Sequence, residues 1–145
     1  MSEEILNHDS SAVQQHINIL QNIITRLANN SMNCKQWCLA ITAAVFTILT
    51  INKQTTYCYY AAYPIITCCI LDAYYLCMER AFRNNHEKFI EKLHSHNLQL
   101  TDLYNLKRES ITCHKMLKAF CSLSVFLFYA SLIIFCIFIS FVRVT

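Results

Sequence analysis

The 24 residues from Ala119 to Val142 contain no charged side chain. As a helix they reach about 36 Å at 1.5 Å per residue, more than the roughly 30 Å of a bilayer's hydrocarbon core. Phe120, Phe126, Phe128, Phe135, Phe138 and Phe141 surround the run on all sides. A helix with no polar face needs surroundings with no polar side, and lipid supplies them. A membrane span is therefore predicted over Ala119–Val142. The rest of the chain agrees in kind. Of its 145 residues 55% are apolar and 14% charged, where a soluble domain carries about 25% charge. There is no glycine and one proline, which removes most turn chemistry and every glycine-dependent phosphate loop. Those counts exclude a soluble α/β enzyme, a collagen-like chain and a disordered tail. The expected class is all-α: an integral membrane protein with three transmembrane helices, an N-terminal amphipathic helix and a cytoplasmic helical segment.

A second span is expected from Tyr57 to Met78. Tyr57, Tyr59, Tyr60 and Tyr63 crowd one end and Tyr74 and Tyr75 lie near the other, as suits the headgroup level. Pro64 falls within the first two turns, where a kink costs least. The run from Trp37 to Ile51 is 15 residues, about 22 Å of helix and short for a full crossing. Trp37 at its edge and the five-residue connection Asn52–Thr56 favour a tight helical hairpin with the second span. A re-entrant or interfacial helix is the alternative. The expected divisions are 1–36, 37–51, 57–78, 79–118 and 119–142.

Three spans put the N-terminus and the 79–118 segment on one side. That side carries ten lysines and arginines, and the other carries Lys53 and Arg143. The positive-inside rule places the N-terminus in the cytoplasm and the C-terminus outside. No cleavable signal peptide or GPI signal is expected, because neither a cleavage pattern nor a small-residue anchor site is present.

On the cytoplasmic side, Ser11 to about Lys35 reads as one amphipathic helix. Val13, Ile17, Leu20, Ile24 and Leu27 form its stripe, and Ser11 with Gln14 a capping box. It is expected on the membrane surface or against a continuation of the second span, whose stripe is Phe82, Phe89, Leu93 and Leu100. Glu79 and Arg83 form an i,i+4 pair there. A further helix is expected from Thr101 to Lys118. The basic surface comprises Arg80, Arg83, Lys88, Lys92, Lys107 and Arg108, to meet anionic lipid, an anionic protein partner or a nucleotide trigger. No specific nucleic-acid partner is expected.

Asp72 is the residue most charged with meaning. It lies six or seven residues inside the second span, where a carboxylate costs at least about 2.5–3.5 kcal/mol. Lys35, at the cytoplasmic mouth of the first span, is the expected partner, with Asn33 and Asn30 as hydrogen-bond donors beside it. The pair reads either as a pore-lining or gating charge or as a structural fastener between two spans. Cys69, Ala73 and Cys77 recur every fourth residue, and Ala40, Ala44 and Thr47 nearly so, as small-residue packing ridges or as plain lipid-facing surface. The nine cysteines fall mostly in spans, as small apolar residues, or face a reducing cytoplasm. His94-x-His96 with Cys113-His114 is a weak metal pattern, and neither a metal site nor a cofactor is expected. Arg80 and His86 match the loose Arg-x5-His pattern of HEPN ribonucleases. No nucleophile–base set or Walker loop accompanies them, so no catalytic residues are assigned and no enzyme is expected.

Several segments resemble a family of small bacterial three-span inner-membrane proteins. They are Arg26-Leu-Ala-Asn-Asn-Ser-Met-Asn-Cys-Lys35-x-Trp37, Pro64, Leu71-Asp-Ala-Tyr-Tyr-Leu76, Glu79-Arg-x-Phe-Arg83 and Phe128-Tyr129. Met32 and Gln36 stand where that family has Phe and Gly, and Thr67-Cys68 where it has an aromatic pair. The layout is also similar to membrane effectors of antiphage systems such as the SLATT proteins. That likeness implies a homo-oligomer that permeabilises or perturbs the inner membrane when triggered, a role in antiviral defence. The expected function is such a pore-forming or membrane-perturbing effector. The alternative is a structural or regulatory membrane subunit that docks a cytoplasmic partner.

Overall fold

The computed structural model describes residues 10–52, 60–106 and 110–142, with side chains to Ile139. Helix α1 is Ser11–Ile51, α2 is Ala62–His94, α3 is Cys113–Phe120 and α4 is Leu123–Val142, with a 3₁₀ turn at Leu100–Asp102. No strand occurs among the described residues.

The amphipathic helix and the first expected span are one continuous helix of 41 residues, about 62 Å long. Nothing between Lys35 and Trp37 breaks it, since glycine is absent and the one proline lies elsewhere. Its start departs from expectation by one residue. Ser10 is the N-cap, and its carbonyl accepts the Val13 and Gln14 amides at 3.1 Å each. Ser11 is already helical, so the Ser11–Gln14 capping box does not form.

The second expected span and its expected continuation likewise fuse into α2, 33 residues long. Pro64 is its third residue, where the missing N–H would have had no helical partner. The helix stops by reversing through His96, at φ 56°. The His96 amide bonds the Leu93 carbonyl at 3.3 Å and the Asn97 amide bonds that of Lys92 at 3.1 Å. This double closure normally uses glycine at the left-handed residue; a chain without glycine uses histidine.

The expected Thr101–Lys118 helix is mostly absent. The Asp102 carboxylate caps the 3₁₀ turn by accepting the Gln99 amide at 3.2 Å, and Tyr104 then turns left-handed at φ 59°. Both events end helical propagation, and α3 starts only at Cys113. Leu100 consequently leaves the α2 stripe and is 64% exposed. The third expected span is also shorter than the uncharged run. Ala119 and Phe120 belong to α3, and the chain bends by 60° at the break before α4.

Antiparallel packing of α1 on α2 builds the molecule. At the polar end, Val13 packs with Phe89, Leu93 and Leu98, and Leu20 and Leu27 pack with Phe82. The amphipathic stripe thus closes on the α2 continuation, the second of its two expected resting places. At the apolar end α4 joins, and Cys38, Ile65, Val125, Tyr129 and Leu132 form a three-helix core. Phe46 meets Phe135 edge-on at 5.6 Å. Among the described residues α1 is long and apolar enough to cross a membrane, and α3 with α4 is so if the bent pair counts as one span. Helix α2, interrupted by Asp72, does not reach that mark by composition.

Candidate functional site

Where the polar and apolar halves meet, Asp72 of α2 is wholly buried against α1. Ser31 and Lys35 lie one helical turn apart on the facing side of α1. The Ser31 hydroxyl donates to Asp72 Oδ1. The Lys35 ammonium stands 2.6 Å from Oδ2 and also donates to Ser31 Oγ at 3.3 Å. The Lys35 ammonium is thus the partner that compensates Oδ2. The lysine side chain keeps 19% exposure, its stem running inward from the edge of the bundle. The structure therefore brings Asp72 and Lys35 together. The donor beside them is Ser31; Asn33 is exposed, Asn30 half-buried, and neither is a partner of the carboxylate.

Further into the apolar half, the hydroxyls of Thr42 and Tyr129 are buried with no hydrogen-bond partner among the described residues. An unpaired buried hydroxyl costs about 1–3 kcal/mol, so these mark a polar seam inside the three-helix core. Ser31 and Tyr129 entered the sequence reading only within the resembling segments, and Thr42 not at all. The further sequence signal on α1 is rotational: Ser31, Lys35, Cys38 and Thr42 recur at helical spacing on one face.

The two small-residue ridges part company. Ala73 and Cys77 are buried and with Ala119 form the seam where α2 and α3 meet, whereas Cys69 is half-buried against the three-helix core of Cys38, Ile65, Val125, Tyr129 and Leu132. Ala40, Ala44 and Thr47 face outward; Thr47 turns its hydroxyl back to the Ala43 carbonyl at 2.9 Å.

The polar end carries a second polar contact. His16, 2% exposed, accepts the Tyr104 backbone amide at Nδ1, 3.0 Å away. Its ring tilts on Phe89 at a centroid distance of 4.4 Å. Tyr104 returns its hydroxyl to Gln15 Oε1 at 2.9 Å. Burial depresses the His16 pKa from its ordinary value, nearby Asp102 opposes this, and His86 adds to it. Asp102 is itself held below the usual carboxylate range, first by its hydrogen bond from Lys92, 2.6 Å away. Together these contacts strap the segment after α2 onto α1.

Of the basic surface, Arg80, Arg83, Lys88 and Lys92 are exposed along α2. Arg83 pairs with Glu79 at 2.7 Å, as expected, and Lys107 and Arg108 lie outside the described residues. Arg80 and His86 are not brought to one site. Arg80 lines a cavity between α2 and α3, whereas His86 lines one against α1 with Gln21 and Thr25. No group of three or more metal-ligating side chains occurs among the described residues. No disulfide joins the eight cysteines found there. No family model, curated relative or solved structure matches the chain.

Proposed function

We propose that the chain is a three-span inner-membrane protein, its α1–α2 extension in the cytoplasm, acting as a self-associating effector that perturbs the bilayer. One observation carries this reading. The charged pair of the apolar half is consumed inside a single chain, while the outer faces of α1 and α4 are apolar. Leu39, Ile48, Phe126, Ile134 and Phe138 are all more than half exposed. Such a surface suits lipid and other copies, not water. Asp72 then fastens the two spans rather than lining a pore wall. The outward ridge Ala40–Ala44–Thr47 supplies the close-approach face for a second copy, and closed cyclic symmetry is the expected form. A role in antiphage defence accords with this architecture.

Particle mass in nanodiscs tests the assembly, and a voltage-sensitive dye in expressing cells tests the activity. A multimer that collapses the membrane potential supports the proposal; a monomer, or a potential unchanged under forced association, rejects it. The second reading, a regulatory subunit, is favoured by the paired ends of α1 and α2, where Val13, Phe89, Leu93 and Leu98 pack together. This end also carries a cavity of about 230 Å³ lined by His16, Asn85, Lys88, Lys92, Asp102 and Asn105. Co-purification of one cytoplasmic protein at fixed ratio would favour it.

A further inference from the structure

Between α2 and α3 lies a cavity of about 390 Å³, lined by Cys77, Arg80, Ala81, Asn84, Lys115 and Lys118. Three of these six side chains are cationic and none is a carboxylate. The position is as telling as the charge. Cys77 and Ala81 are buried and form an apolar floor. Arg80 is anchored across the break: Nη1 donates to the Lys118 carbonyl at 3.2 Å and Nη2 to Ser122 Oγ at 2.9 Å. Its guanidinium is thus a fixed wall rather than a wandering surface charge. Lys115 and Lys118 lie three residues apart on one face of α3, and Lys115 reaches the Ser110 carbonyl at 3.5 Å. Just past the break, Leu123 and Phe126 are 72% and 62% exposed. They offer apolar surface on the first turn of α4, in the residues that follow the Ser122 hydroxyl held by Arg80.

We infer that the cavity between α2 and α3 binds the phosphodiester headgroup of an anionic phospholipid, whose acyl chains lie along Leu123 and Phe126. Basic cavities between helices at the cytoplasmic edge of a membrane suit such headgroups. The 60° bend fits the role, because it turns α3 away from α4 toward the headgroup plane. A soluble phosphate would share the cations and make no use of the apolar surface. The inference rests on the membrane reading above, deepens it, and assigns the lipid to one place rather than to basic charge in general.

The test is competitive retention of phosphatidylglycerol against phosphatidylcholine by the full chain, read by native mass spectrometry. Lys115→Gln with Lys118→Gln should cut the preference about 30-fold, from about 1 kcal/mol per lysine near the surface and 1.4 kcal/mol per tenfold. Lys115→Arg with Lys118→Arg should keep it, and so should Lys88→Gln with Lys92→Gln, which removes equal charge farther down α2. An unchanged preference in the first pair, or an equal loss in the last, overturns the inference. Displacement by millimolar glycerol phosphate also overturns it, in favour of a soluble ligand. The unaltered chain gives a check independent of folding in the variants. A headgroup-photoactivated phosphatidylglycerol should crosslink within 77–84 or 113–118, and crosslinks confined elsewhere contradict the site. Carbonate washing of membranes keeps the two readings apart. A chain released by the wash defeats the span reading itself; a chain retained without lipid preference defeats only the cavity.

Discussion

At the scale of the residue, the asymmetry of the Asp72–Lys35 pair predicts unequal consequences. Asp72 is wholly enclosed, whereas Lys35 sits at the edge with 19% exposure. Lys35→Met strands a buried carboxylate and should cost about 3–5 kcal/mol. Asp72→Asn leaves an ammonium able to swing toward water and should cost less. The double variant should be more stable than Lys35→Met alone, and denaturant titration in detergent reads the cycle; additive losses would show that the two side chains do not act as a pair. His16 makes a pH prediction of definite sign. Its folded-state pKa is lowered from 6.5, so the unfolded chain takes up a proton first. Stability is complete above about pH 6.5 and falls as pH drops from there to the lowered folded value. Protection of the Tyr104 amide from exchange, relative to its intrinsic rate at each pH, should fall across that window because His16 Nδ1 accepts it, and in His16→Asn this fall should vanish. The charged partners were legible in the sequence because a carboxylate within an apolar run must be compensated. Ser31, Thr42 and Tyr129 were not, because which face of a helix turns inward is settled by the neighbour it packs on.

Elements were legible in kind more than in extent. The apolar stripes of α1 and α2 were plain from their spacing, and their pairing follows from the short connection between them. The fusion of four expected pieces into two long helices was also implicit, since no glycine or proline interrupts either join. The break at Cys121–Ser122 gave no such sign; Arg80 secures it from another helix. The end of α2 is similar, with His96 held left-handed by the closure around it. His96→Gly should therefore stabilise the fold by about 1 kcal/mol, the usual cost of a side chain there, as read by thermal unfolding; a loss would show that the His96 side chain contributes more than its backbone costs. Phe89 is 6% exposed between Val13, Leu93 and the His16 ring. Phe89→Ala should cost about 3–5 kcal/mol and quicken exchange in the 95–106 strap before it affects the apolar half.

Across the whole molecule, Ser31, Asp72, Thr42 and Tyr129 turn inward in the apolar half, and large hydrocarbon side chains such as Ile48, Phe126 and Phe138 turn outward. The polar half shows the opposite arrangement, with Val13, Leu20 and Leu27 inside and charges outside. In the proposed reading such a chain meets two solvents, and the division falls at Lys35 and Asp72. That claim underlies the proposed spans, the assembly through α1 and the lipid at the α2–α3 cavity. Its most direct test is the sidedness of single reporters in intact cells, one fused before Ser11 and one after Thr145, together with retention of the chain in carbonate-washed membranes. The account predicts a retained chain with the first reporter cytoplasmic and the second outside. Both reporters on one side, or a chain released into the wash, would contradict it.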